Sequence, residues 1–342
     1  MGLAKKQRTY IIAEAGVNHN GDLGLAILLI KKAKESGADC IKFQTFKAEQ
    51  IVTRESPKAK YQLEVTDKDE SQFEMLKKLE LGFSDYKLLI EECNKQNIDF
   101  LSTPYNKEDA DFLDSLGVTG FKIASGQLTE LPFLKHVARK NKRMIISTGM
   151  GTLADVYNAV EEIRGQGNDD LIVLQCTTNY PSRIEDTNLL AMQSIKQACK
   201  VSVGYSDHVE SNFACFASVA LGAEIVEKHF TIDKKMEGPD HSSSLTPEEF
   251  KELVIGIRSI EKALGNGVKK PSQIEIENSV GMKRSLVLLY DLEAGTMLKE
   301  EHIGFKRPSN GLPPNMFDLV LGKRLAMEMK KDQALQYNSI QW

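Results

Sequence analysis

The chain lacks any apolar run near the roughly 20 residues that a bilayer-spanning helix requires. It also lacks an excess of positive charge: 44 Lys and Arg stand against 48 Asp and Glu, a formal net charge of −4. The first absence argues against a helical membrane protein. The second argues against a general nucleic-acid binder, which needs a basic face. Cysteine is scarce and unpatterned. Cys40, Cys93, Cys176, Cys199 and Cys215 are odd in number, scattered, and form no CxxC. That excludes a disulfide framework and fits reduced thiols in a cytosolic protein. Cys40, Cys176 and Cys215 sit in apolar patterns and are expected to pack in the core. There is no GxxxxGK[ST], and no GxGxxG follows the first strand, so neither a P-loop nor a dinucleotide fold is indicated. The opening MGLAKKQRTYIIAEAG lacks the h-region and cleavage site of a signal peptide, and Lys6 breaks the myristoylation pattern that Gly2 would begin. A cytoplasmic location is expected.

The composition is that of a globular protein: 342 residues, 41% hydrophobic and 27% charged. This leaves room for one large core and one small domain. Strand patterns recur at Tyr10–Glu14, Cys40–Gln44, Ile98–Thr103, Gly120–Ser125, Met144–Thr148, Leu171–Cys176, Val201–Tyr205 and Ile225–His229. Amphipathic helical patterns, several stopped by Gly, lie between them, and a last one runs from Pro247 to Leu264 behind a Thr-Pro-Glu-Glu start. Eight strands, each followed by a helix, predict a (β/α)₈ TIM barrel over 1–265, with its site at the carboxyl ends of the strands. The one long connection, roughly 46–82, shows no strand pattern and is of a length that is often functional. Residues 266–283 read as a patternless linker. From 284 to 342 the chain turns to short strands and Pro/Gly-rich loops, a small β-rich domain near the lower size for independent folding.

The strand ends carry the chemistry. His208 and His229 close two successive strands joined by one helix, which puts both imidazoles on one rim. A Gly-Pro-Asp-His turn at 238–241 returns Asp240 and His241 to that rim. Either each histidine satisfies a core hydrogen bond, or the pair ligates a divalent metal with positions left open for substrate. Lys42 and Lys122, with Ser125, Ser147 and Ser206, make a rim suited to an oxyanion such as phosphate or carboxylate. Glu14 ends the first strand. Buried lysines and a carboxylate inside a barrel are costly unless they are paired or hold a ligand. A metal beside an anion pocket points to a lyase, aldolase or transferase acting on small anionic substrates.

The motifs IIAEAGVNHNGD (11–22), IKFQTF (41–46), FKIASG (121–126), STGM (147–150), NYP (179–181), GYSDH (204–208), EKHFT (227–231) and GPDH (238–241) resemble the sialic acid synthase family, in the right order over the whole chain. FKRPSNG (305–311) resembles that family's antifreeze-like, or SAF, domain. The resemblance implies condensation of phosphoenolpyruvate with an open-chain N-acetylmannosamine-type sugar, by C–O cleavage and phosphate release. It implies His208 and His229 as ligands of a divalent metal, Mn²⁺ before Mg²⁺ or Co²⁺, and Glu14 as the group that stabilises charge at carbon 2 or handles the water proton. Lys42, Thr103, Lys122, Ser125, Ser147 and Ser206 would hold phosphoenolpyruvate. Gln44, Tyr180 and Asp240 would line the sugar and metal region. Arg307 would reach the sugar's acyl group from a partner subunit in a domain-swapped homodimer. After FKIASG this chain carries Gln127 where the family commonly has Glu, at a position expected to touch sugar hydroxyls. The expected product is N-acetylneuraminate, with N,N'-diacetyllegionaminate and, less well fitting, pseudaminate as alternatives. A non-catalytic binding protein on a dead barrel is the rival of another class.

Overall fold

The computed structural model describes residues 8–342 apart from 60, 61, 64, 65 and 68. The chain divides into two compact units, 1–266 and 267–342.

In the first unit eight parallel strands form one sheet: β1 Tyr10–Gly16, β2 Cys40–Thr45, β3 Asp99–Pro104, β4 Gly120–Ile123, β5 Arg143–Ser147, β6 Leu171–Cys176, β7 Ser202–Asp207 and β8 Ile225–His229. Their hydrogen-bonded order is β3-β2-β1-β8-β7-β6-β5-β4. Its two ends, β3 and β4, lie against each other, so the sheet curls into the predicted barrel. Strands of Ile, Val and Phe form because both faces are covered, by helices outside and by other strands inside.

Three apolar clusters result, the smallest being Val17, Phe46, Met75 and Leu79 beside the long connection after β2. The largest lies between strands and helices and includes Leu29, Leu89, Leu134, Val160 and Leu253. The third fills the barrel itself and consists of Ile12, Cys40, Leu101, Ile145, Leu174 and Ile225. Burying each such aliphatic side chain contributes roughly 1.5–3 kcal/mol. Helix starts follow their caps. Thr246 and Glu249 form a reciprocal capping box that opens Pro247–Ala263, as the Thr-Pro-Glu-Glu pattern predicts. All five cysteines are buried and free.

The stretch read as a patternless linker is not without structure: residues Gln273–Met282 form a helix, capped by Ser272 and Glu275. No residue of this helix is buried, and Ile274, Ile276, Val280 and Met282 are all exposed. It therefore has no apolar stripe for periodicity to reveal. The long connection after β2 likewise contains helices Ala48–Ile51 and Gln72–Lys78. In the second unit β9 Ser285–Leu288 pairs with β10 Ile303–Lys306, and β11 Arg324–Leu325 with β12 Ile340–Gln341, all antiparallel. Leu286, Leu298, Leu325 and Leu335 belong to its own apolar core.

Candidate active site

Side chains on a strand alternate between faces, so residues two apart share the barrel interior. Two steps beyond the apolar layer on each strand come Glu14, Lys42, Thr103, Ser147, Cys176 and Glu227. Lys122 and Ser206 complete the layer above Gly120 and Gly204. All eight line one cavity of about 490 Å³ at the carboxyl ends of the strands. A polar floor thus rests on an apolar plug, by period-two arithmetic alone.

The charges in this floor are paired. Lys42 Nζ lies 2.8 Å from Glu14 Oε2 and 3.7 Å from Glu227 Oε2. Lys122 Nζ lies 3.5 Å from Glu227 Oε1 and donates to Ser147 Oγ at 2.6 Å. Lys42 also donates to Thr103 Oγ1 at 3.2 Å, and Ser206 Oγ to Glu227 Oε1 at 2.8 Å. Glu227 Oε2 is buried with no hydrogen-bond partner. Burial pushes the Glu14 carboxyl up, and Lys42 only partly offsets it, leaving a pKa of about 7. Glu227 feels the same burial, but Lys122 and Lys42 outweigh it and hold the carboxyl at about 2. Two neighbouring carboxylates thus differ in protonation, the arrangement from which acid–base chemistry is built. Glu227 was not singled out among the site residues of the sequence reading. Its signal was present: it sits two residues before His229, on the same face.

Lys228, between them, faces the other way. Its Nζ lies 2.6 Å from Asp207 Oδ2, with both side chains fully buried, and donates to the carbonyls of Val209 and Ser211. This pair holds the loop that carries His208.

The two histidines meet above the floor, with ring centroids 5.4 Å apart. Tyr180 packs on both, 4.1 Å from His208 and 5.5 Å from His229. His208 Nδ1 lies 2.7 Å from the Thr177 carbonyl. A carbonyl only accepts, so Nδ1 carries a proton, and in the neutral ring Nε2 keeps its lone pair. His229 Nδ1 is buried without a partner. Burial, reinforced by His208, holds His229 well below its ordinary value and hence neutral. Asp240 lines the same cavity, its carboxyl raised to about 6 by burial despite His208 and Lys42. No group of three or more His, Cys, Asp or Glu among the described residues is arranged to hold a metal, so the two imidazoles are the candidate pair.

The Asp240 loop is anchored by the segment after β1. Asn18 Nδ2 donates to the Phe230 carbonyl and to Ser244 Oγ, Ser244 Oγ donates to the Asp240 carbonyl, and Asn20 Nδ2 donates to the Glu237 carbonyl. Gly238 has φ +151°, and a Cβ there would stand 2.7 Å from the His241 ring, which itself contacts Asn20 Oδ1. The Asn-His-Asn run therefore builds the loop opposite it.

Of the remaining expected residues, Gln44, Ser125, Gln127 and Tyr180 also line the cavity. Gln44 Nε2 faces Glu14 Oε1 at 3.4 Å. The Gln127 amide, expected to touch sugar hydroxyls, is tied to backbone groups. Its Nε2 donates to the carbonyls of Pro104 and Tyr105, at 3.1 and 2.9 Å, and its Oε1 accepts from Ala124 N at 3.3 Å. Arg307 belongs to the second unit, where it is exposed just after β10. The long connection after β2 supplies an apolar wall with Ile51, Met75 and Leu76, beside Ala59 and Gln62.

Comparison with known proteins agrees with this geometry. Residues 29–269 match the NeuB family and residues 283–341 a SAF domain. The chain is 46% identical over 332 residues to the N,N'-diacetyllegionaminic acid synthase of Campylobacter jejuni, covering 96% of this chain and 99% of that one. It is 44% identical to the synthase of the same name from Legionella pneumophila, covering 97% of this chain and 94% of that one. Among solved structures it resembles the N-acetylneuraminic acid synthetase of Leptospira borgpetersenii, with a TM-score of 0.72 at 32% identity, over 81% of this chain and 93% of that one. The chain belongs to the NeuB family, the sialic acid synthases, and carries a SAF domain at 283–341.

Proposed function

We propose that the chain condenses phosphoenolpyruvate with the 2,4-diacetamido-trideoxy sugar that yields N,N'-diacetyllegionaminic acid, releasing phosphate. The observation that carries the chemistry is the paired floor of Lys42, Glu14, Glu227 and Lys122 beneath two neutral-capable imidazoles. The choice of sugar follows the 46% and 44% identical relatives. They reverse the order of the sequence reading, which put N-acetylneuraminate first. A binding protein on a dead barrel would have no reason to keep four buried charges, each costly to desolvate.

Lys42 and Lys122 supply positive charge for the phosphate and carboxylate of phosphoenolpyruvate, and Thr103, Ser125, Ser147 and Ser206 supply hydroxyl donors. Carbon 3 of phosphoenolpyruvate attacks the sugar's aldehyde carbon, whose oxygen takes up a proton. Carbon 2 becomes electron-poor and adds water. Glu14, poised near pH 7, takes the water proton. The tetrahedral intermediate then breaks its C2–O bond to phosphate, the remaining hydroxyl proton leaves with the departing phosphate, and the added oxygen stays as the ketone. Burial of the whole floor strengthens each of these electrostatic contacts.

His208 and His229 fit a divalent metal. The Thr177 carbonyl accepts a hydrogen bond from the Nδ1 proton of His208, which in the neutral ring leaves Nε2 free, the second-sphere device common to metal-binding histidines, and His229 is held neutral. Such an ion, Mn²⁺ by preference, would act as a Lewis acid on the aldehyde. Tyr180, Gln44 and Asp240 orient the sugar around it. We further propose a cytoplasmic, domain-swapped homodimer in which Arg307 of the partner subunit contacts the sugar's acyl group.

The deciding experiment is phosphate release from phosphoenolpyruvate with manganese across acceptor sugars: the legionaminic and pseudaminic precursors, N-acetylmannosamine, its 6-phosphate, and mannose. Release with the legionaminic precursor at the highest kcat/KM is the expected result. Preference for N-acetylmannosamine would restore the first reading, and no release with any sugar would defeat the class.

A further inference from the structure

Seven of the eight strand-to-strand boundaries of the barrel are hydrogen-bonded, and the β3–β4 boundary is not. The two strands stand side by side without a backbone ladder. At the site end of this seam one side chain crosses it. Gln127 lies in the short turn Ser125–Gln127 after β4, and its acceptors, the Pro104 and Tyr105 carbonyls, lie at the end of β3.

The amide orientation is unambiguous. Carbonyls only accept and the Ala124 N–H only donates, so the NH₂ group must face Pro104 and Tyr105. Both amide protons are engaged, and the side chain is 3% exposed. From Tyr105 the chain of contacts continues inward. Tyr105 Oη donates to Gln44 Oε1 at 3.2 Å, which turns Gln44 Nε2 toward Glu14 Oε1 at 3.4 Å. A carboxylate at position 127 has no proton for either carbonyl, and its charge would face two carbonyl oxygens at about hydrogen-bond distance.

We infer that Gln127 is a positioning residue. It staples the open seam of the barrel and, through Tyr105 and Gln44, aims a neutral donor at Glu14. It does not select the acceptor sugar by contact. This inference rests on the cavity being the catalytic site.

The test uses the full chain and compares Gln127→Met, which keeps length but has no donors, with Tyr105→Phe and the double variant. Hydrogen–deuterium exchange of peptides covering 104–109 and 124–128 is measured beside phosphate release across the sugar panel. For Gln127→Met we expect faster exchange in both peptides and a kcat lower by about 3- to 10-fold. The KM for phosphoenolpyruvate and the ranking of acceptor sugars should stay as in the unmodified chain. Tyr105→Phe should give a similar kcat loss with exchange unchanged, and the double variant should lose no more than the worse single one. A Gln127→Met enzyme that reorders the acceptors, or raises the KM of one sugar alone with exchange unchanged, would identify a direct sugar contact and overturn the inference. Should no sugar support release, the proposed function fails, and exchange decides the seam by itself: unchanged exchange in Gln127→Met removes the staple.

Discussion

Lys42 and Glu14 form an ion pair 2.8 Å long, with each side chain 4% exposed, at matching positions on β2 and β1. The register of two parallel strands sets this pair, and Glu227 on the other side of β1 shares the same ammonium. Removing Lys42 leaves two buried carboxylates with one fewer counter-charge. Lys42→Met is expected to destabilise the barrel by about 3–5 kcal/mol and to reduce phosphate release by at least about 100-fold. Chemical denaturation and steady-state assay check the two effects separately. A variant with unchanged stability would show that the pair does not hold the floor together.

Chelation should abolish turnover, and added Mn²⁺ should restore it. His208→Ala should keep the fold, because the Lys228–Asp207 pair still anchors the loop, while manganese affinity drops by about 100-fold or more. Calorimetric titration of the apo-protein with Mn²⁺ measures this without reference to activity. Undiminished binding in the variant would remove His208 from the ligand set.

Acid should weaken the first unit through His19. This side chain is 1% exposed, and its Nδ1 accepts from Gly21 N at 3.0 Å. Burial, with His241 nearby, lowers its pKa to about 4. Above pH 6.5 neither folded nor unfolded state is protonated and the group contributes nothing to the pH dependence. Between about 6.5 and 4 the unfolded state takes up the proton and the folded state does not, so stability falls as pH falls, by up to about 3 kcal/mol. His19→Gln should flatten the stability–pH curve across that window, read from denaturation midpoints. A curve of unchanged slope would place the acid sensitivity elsewhere.

Loss of the second unit is expected to separate folding from function. A chain ending at 266 retains the apolar clusters of the barrel and the whole cavity lining. It should melt cooperatively, yet release phosphate at less than about a tenth of the full-length rate, a loss of more than about 1.4 kcal/mol in transition-state stabilisation. Full activity in the fragment would dismiss the role proposed for Arg307.

The barrel was legible because its signals are local. Runs such as Tyr10–Gly16 and Ile225–His229 are short and apolar, and the amphipathic patterns between strands are several times closed by Gly. Alternation within a strand also places Glu14, Lys42 and Lys122 in one layer, and applied to His229 it places Glu227 there too. The helix Gln273–Met282 was not legible, since with no buried face it writes no period into its residues.

Residue type and spacing were enough for the fold, for the rim that carries the histidines, and for the presence of lysines beside carboxylates. Partners were another matter. That Lys228 turns to Asp207 while Lys42 turns to Glu14 depends on which face each strand end presents after the ring closes. That Gln127 grips the end of β3, 22 and 23 residues earlier, depends on β3 and β4 meeting without a ladder. Alternation and turn signals act over a few residues, so a sequence states them directly. Side-chain partners across a closed barrel are set by the register and closure of strands far apart in the chain, and only the folded arrangement brings them within hydrogen-bond reach.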